Sequence, residues 1–341
     1  MPVNVIDSHV HLYSKSYSQD GRLPLVSQSS QLNDEFRLDE YKKVISESSK
    51  HKVEGLIFIE ICVDSGLSYE GWKYPIEEYL YVERIILGIP KIGEGSDLSG
   101  KDFIKGIVPW APIPQGVTKL KEYIQKLKTQ SLDPKTFERV KGFRYLFDGL
   151  PPGSILEQNY IDSINWLAQN GFVYDLGLNI RQDGNRQLKE VIELLQKTEN
   201  VTYILNHLSK ANLSLSSKDV YNNLDFKEWQ SLVERISQNT QSNKIYIKFS
   251  GGFPELPDEI AQDDDLTESI ARIEPWFKTF VDNFPKNQII FGSDWPIAVK
   301  KINFHETWVK WVKITDYLID KYGLNPEDFY KNNVVEAYNL N

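Results

Sequence analysis

The stretch VNVIDSHVHLYSKSYSQDG, residues 3–21, decides between two architectures. It opens as a short β-branched run and ends in His9 and His11, two of the five histidines in the chain. The residues after His11 are rich in Ser, Tyr and Lys, with no glycine-rich loop to cradle a phosphate. An open, doubly wound nucleotide-binding sheet needs such a loop after its first strand. The stretch therefore favours a strand that ends in chemistry of its own.

Seven further runs have the same character: VEGLIFIEI from Val53, FIKGIVPWAP from Phe103, RVKGFRYLF from Arg139, FVYDLGLN from Phe172, VTYILNHL from Val201, KIYIKFSG from Lys244 and QIIFGSDWP from Gln288. Near-continuous apolar runs of this length suit parallel strands buried on both faces. Between them lie amphipathic patterns at 38–50, 185–198, 226–238 and 270–284, the last with Pro275 expected near its first turn, where proline is tolerated. A final pattern, ETWVKWVKITDYLIDKYG, stops at Gly323. Strands alternating with helices over 341 residues predict an α/β fold, a (β/α)8 TIM-like barrel forming one domain over 1–341. Residues 12–35 and 252–268 follow strand ends, so they are expected as loop insertions on the C-terminal face that cover a site there. The acidic run Asp263, Asp264, Asp265 reads as a solvated loop, since it lacks a calcium-loop pattern.

Composition excludes several function classes. A formal charge of −9 without clustered Lys and Arg argues against a nucleic-acid partner. The single cysteine, Cys62, cannot form an intramolecular disulfide and fits a reducing compartment. Asn4 and Asp7 interrupt the N-terminal apolar run, unlike a signal peptide, and no run is long enough to span a bilayer. The expectation is a cytoplasmic protein without a membrane partner. No Gly-x-Ser-x-Gly elbow is present, against a serine esterase.

The strand ends carry the unusual residues. Alternation places His9 and His11 on one face, with Asp7 expected on the same face. The second run ends at Glu60, the fourth holds Arg144, the fifth Asp175 with Asn179 beyond it, and the sixth ends at His207. The seventh offers Lys248 and Ser250, and the eighth ends at Asp294. A charge in an apolar strand costs on the order of several kcal/mol unless it is paired or holds a metal. Clustering at one edge points to a shared site at the C-terminal mouth. Each residue also has a plainer reading. His9 and His11 could be hydrogen-bonded rim histidines, Glu60 and Arg144 a buried ion pair, Asp175 a barrel stabiliser, and Asp294 a turn cap. Lys248 could only extend its stem along the barrel. Trp72, Trp110 and Trp295 could stack on a sugar ring or fill the core. His51 and His305 are expected at the surface, and nothing near Cys62 activates a thiol.

The segments IDSHVHLY, VPWAPIPQG, KGFRYLF, GFVYDLGL, NHLSK, IKFSGGF, FGSDWP and EAYNL together resemble the amidohydrolase superfamily along nearly the whole chain, in its branch of sugar-lactone hydrolases related to fungal L-rhamnono-1,4-lactonases. The resemblance implies hydrolysis of an aldonolactone in rhamnose or related sugar-acid catabolism, with a small-molecule lactone as partner and a homodimer as an admissible assembly. It implies Asp294, His207 and Arg144 as catalytic residues, and Lys248, Trp295, Trp110 and Tyr145 as substrate contacts. It implies His9, His11, Glu60, His207 and Asp294 as ligands of one divalent ion, zinc or manganese, and also admits a metal-free reaction. Arg144 and Asn179 stand where two-metal members place a bridging lysine or glutamate and a further histidine, so one ion is expected rather than two. FIEICVDSG and HLSKANL also depart from the family pattern and leave the particular substrate open. The alternatives are another amidohydrolase-type enzyme, an aromatic-lactone hydrolase or metal-dependent decarboxylase, or a non-catalytic barrel that binds a sugar acid.

Overall fold

The computed structural model describes residues 2–19, 21–95, 100–239 and 242–340. Eight strands follow in order: β1 (Val3–Val10), β2 (His51–Ile59), β3 (Ile104–Val108), β4 (Gly142–Arg144), β5 (Val173–Leu176), β6 (Thr202–Leu205), β7 (Lys244–Phe249) and β8 (Ile289–Phe291). All pair in parallel, as β1-β2-β3 and β4-β5-β6-β7-β8. Isolated parallel bridges carry both seams. Ile107 meets Val140 and Trp110 meets Arg144 on one side; Val10 meets Trp295 on the other. Pro109, which has no N–H, interrupts any continuous ladder at the first seam, but its carbonyl accepts from Arg144 N at 3.0 Å. At the second, Asp294 N donates to His9 O at 3.0 Å and His11 N to Trp295 O at 2.8 Å. The fold is the expected (β/α)8 barrel.

One main helix follows each strand: α1 (Leu38–Ile45), α2 (Lys73–Leu87), α3 (Gly116–Gln130), α4 (Gln158–Gln169), α5 (Arg186–Lys197), α6 (Leu224–Gln238), α7 (Thr267–Asn283) and α8 (Glu306–Lys321). The spacing explains them. In α5, Leu188, Val191, Ile192 and Leu195 recur at three- and four-residue intervals and are all buried against the barrel. Asn223 caps α6 by accepting from Phe226 N. After α8, Gly323 takes the left-handed conformation expected of a stop.

Two apolar layers result, one between strands and helices and one inside the barrel. The inner layer comprises Ile6, Ile57, Ile59, Val108, Val173, Ile204, Tyr246 and Ile290, and the C-terminal Val334, Ala337 and Tyr338 close it from below. Three local expectations fail. The helix α7 starts at Thr267, whose N–H and hydroxyl are held by Asp265, so Pro275 lies mid-helix rather than in its first turn. His51 is the buried first residue of β2, bonded through Nε2 to Asp316 at 3.1 Å, whereas His305 is exposed as expected. A register irregularity between Asp7 and Val10 turns Asp7 off the face that it was expected to share with His9. Its carboxylate accepts instead from Tyr41 Oη and from the backbone N–H groups of His9 and Ser293.

Candidate active site at the mouth of the barrel

The strand-end residues meet. Asp294 Oδ1 lies 3.6 Å from His9 Nε2, 3.4 Å from His11 Nε2 and 3.8 Å from His207 Nε2. His9 and His11 place their Nε2 atoms 3.2 Å apart. Cys62 at 58°, His207 at 52° and Asp294 at 60° have positive φ without being glycine. Leu208, Ser209 and Lys210 continue the left-handed run after His207. Such backbone costs about 1–3 kcal/mol per residue and persists where the surroundings over-determine it. Here it swings each side chain inward at the end of its strand. The same turn at Asp294 sends the next side chain outward: Trp295 packs on Phe36 and Tyr41 in the core and does not face the cavity.

A second layer holds the first. His11 Nδ1 donates to Ile59 O at 2.9 Å, which orients the ring with Nε2 toward Asp294. Lys248 Nζ sits below, 3.1 Å from His9 Nδ1 and 2.9 Å from Asp175 Oδ2. Asp175 also accepts from Asn206 Nδ2 and from Tyr338 Oη, the latter at 3.0 Å. Both Lys248 and Asp175 are fully buried, so Lys248 supports His9 from the barrel interior rather than lining the cavity. Arg144 Nε lies 3.5 Å from Glu60 Oε1 and 4.0 Å from Asp175 Oδ1. Glu60 is thus the ion-pair partner of Arg144 and stands apart from the cluster of His9, His11 and Asp294. Behind it, burial and the charge of Glu60 push the Glu78 carboxyl well above the carboxylate range.

Electrostatics set the protonation states. Burial pushes Asp294 upward, but His207, His11 and Arg144 outweigh it, and the carboxyl stays below its usual range, ionised at neutral pH. Burial lowers His207 to about 3 against the opposing pull of Asp294. Burial and the neighbouring Lys248 also lower His9. Both imidazoles are therefore neutral, as metal ligands must be. Burial and Glu60 raise the Cys62 thiol, so no thiolate nucleophile forms.

The donor set fits one divalent ion. The three ligand atoms lie within 4.8 Å of one another, and their 3.2–3.6 Å separations approach the ~3.4 Å edge of a tetrahedron with ~2.1 Å arms. Lys248 on His9 Nδ1 leaves the proton of neutral His9 on Nε2. For His9 to ligate an ion through Nε2 as a neutral imidazole, that proton would pass to water and Nδ1 would take one from the Lys248 ammonium.

Above the cluster opens a cavity of about 250 Å³, lined by His11, Arg144, His207, Lys210, Asp294 and Lys300, among others. Both inserted loops border it, through Pro24 and Leu25 from the first and Pro254 and Glu255 from the second. A second chamber of about 290 Å³ shares Pro24, Cys62 and Leu146 with it and is lined by Glu60, Trp110 and Tyr145. Neither Lys210, paired with Asp148 at 3.2 Å, nor Lys300 stands out in the sequence, because Lys210 follows a single turn and Lys300 ends a four-residue 3₁₀ helix, both too short for a periodic signal. No helix among the described residues is long and apolar enough to cross a membrane.

A parallel barrel with histidines and an ionised aspartate at its C-terminal mouth is the architecture of hydrolases that activate water. Residues 184–331 match the Amidohydrolase family. The chain is 35% identical to an L-rhamnono-gamma-lactonase of Scheffersomyces stipitis, over 98% of each sequence. A crystal structure of an amidohydrolase from Burkholderia multivorans with bound zinc superposes with a TM-score of 0.71 at 15% identity over 99% of each chain. Amidohydrolase 2 from Bifidobacterium longum subsp. infantis superposes with a TM-score of 0.62 at 18% identity, over 99% of this chain and 100% of that one. The chain belongs to the amidohydrolase family.

Proposed function

We propose that this protein is a lactonase that opens a sugar-acid lactone, L-rhamnono-1,4-lactone or a similar aldonolactone, to the aldonate. The observation that carries the reading is an ionised Asp294 facing neutral His9 and His207, with Arg144 lining the same small cavity, in a chain similar from end to end to a lactonase. In this reading Asp294 takes a proton from water as it attacks the lactone carbonyl and returns it to the leaving ring oxygen. Neutral His207, with Nδ1 accepting from the Ser250 hydroxyl at 2.9 Å, presents Nε2–H to the carbonyl oxygen as charge develops there. Arg144, lining the same cavity, adds a second donor, and each such donor contributes about 3 kcal/mol. A zinc or manganese ion held by His9, His11 and Asp294 would supply Lewis-acid polarisation. Without an ion, the same residues still provide a base, a donor and a cation. Trp110 and Tyr145 take the side-chain end of the sugar in the second chamber, while Lys248 and Trp295 act as positioning residues. The enzyme works in the cytoplasm on a free small molecule, as one domain.

A pH-stat assay of purified protein against sugar lactones and aromatic lactones, before and after chelation, tests this. Turnover confined to the sugar lactones is expected. Turnover confined to aromatic substrates, or none at any metal loading, would overturn it.

A further inference from the structure

The cavity walls contain three permanent cations, and two are already neutralised. Arg144 faces Glu60 and Asp175, and Lys210 pairs with Asp148. The nearby acid Glu255 is likewise taken, by Arg181. Lys300 differs. Its ammonium lines the cavity and is half-buried, yet it makes no hydrogen bond or ion pair among the described residues. It ends the short 3₁₀ helix Ile297–Lys300, which Ile297 N ties directly to Asp294 O at 2.9 Å. The backbone that carries Lys300 is therefore tied to the backbone of the base, and its side chain lines the same cavity. Burial lowers its affinity for the proton, and the charge of Asp294 partly restores it.

A partly desolvated ammonium without a partner is unfavourable until an anion arrives. The lactone brings none. Hydrolysis makes one: water adds to the carbonyl carbon, the carbon–ring oxygen bond breaks, the ring oxygen leaves as a hydroxyl, and the new acid releases one proton to become a carboxylate. On the lactonase reading, on which this inference rests, we infer that Lys300 is the binding residue for the carboxylate of the ring-opened aldonate. Lys300 then favours the side of the reaction on which charge has formed, and it makes the product a competitive inhibitor.

Calorimetric titration with L-rhamnonate tests this on the wild type and on Lys300→Met, Lys300→Gln and Lys300→Arg, each checked for folding by circular dichroism. The neutral variants should weaken aldonate binding about ten-fold or more, as expected for loss of a charge-assisted contact. Lys300→Arg should restore it to within about three-fold, and added salt should weaken binding to the wild type but not to the neutral variants. If Lys300→Met does not fold, the Gln and Arg variants carry the comparison. Aldonate binding unchanged in the neutral variants, or absent from a wild type that turns over lactone, overturns the assignment of Lys300 alone. Salt-sensitive aldonate binding that needs Lys300, in a protein that opens no lactone, overturns the lactonase reading and leaves Lys300 as an aldonate-binding residue.

Discussion

Gly251 shows how tightly single residues are constrained at this site. Its φ of +64° suits glycine, and a Cβ there would lie 2.6 Å from His207 Nδ1 and 3.0 Å from Asp294 Oδ2. Gly251→Ala is therefore expected to push the imidazole and the carboxylate apart. A displacement of about 1 Å can cost about 100-fold in rate. Measured kcat should fall by that order while circular dichroism stays native, and an alanine variant with native kcat would contradict the packing. His9, His11, His207 and Asp294 are legible in the sequence, because a polar residue ending an apolar run is conspicuous. The direction of Trp295 is not, because it depends on the left-handed turn at Asp294. Lys300 is invisible there for a different reason: its importance lies in lacking a partner, which only the surrounding side chains reveal.

At the scale of elements, the C-terminal segment has a role that its sequence does not announce. Val334, Ala337 and Tyr338 seal the inner apolar layer, and the Tyr338 hydroxyl reaches Asp175, which holds Lys248 beneath His9. Tyr338→Phe removes one donor from a buried carboxylate and is expected to cost about 1–3 kcal/mol in urea denaturation. Truncation after Asn332 should prevent folding, since it uncovers the barrel floor; a truncated chain with a native Tm would contradict that. The strands and their order are readable from apolar runs, but their lengths are not. The strand β4 spans only Gly142–Arg144, and isolated bridges carry both seams. Pairing across a seam depends on partners far apart in sequence, so no local pattern records it. The start of α7 is misplaced by pattern alone because Asp265, which accepts from the N–H and hydroxyl of Thr267, stands in an acidic run that reads as loop.

Across the whole molecule, the buried ionisable groups give stability a characteristic pH dependence. His9 and His207 have folded values below the ordinary 6.5, so the unfolded chain binds protons that the folded one refuses. The stability present above pH 6.5 is lost as pH falls toward the folded values, which for His207 is about 3. Each group contributes a slope of up to about 1.4 kcal/mol per pH unit. Asp7 opposes this: burial raises it to about 6, so acidification through the interval between 6 and 3.8 favours the folded state by the same linkage. Glu78, held well above its usual range by burial and Glu60, opposes it in the same sense. Two histidines therefore stand against two acids between pH 7 and pH 5, and the histidine contribution is read by removing one histidine. In urea midpoints at constant ionic strength, His207→Gln should lose less stability than the wild type as pH falls from 7 to 5. A variant whose midpoint follows the wild type across that range would contradict a neutral His207 in the folded state.

Proton transfer by Asp294 underlies everything proposed for this site. Its most direct test is kcat for L-rhamnono-1,4-lactone with Asp294→Asn, which keeps the shape of the side chain and removes its basicity. A fall of about 100-fold or more is predicted, with folding intact. An Asn variant that opens the lactone at near wild-type kcat would contradict it.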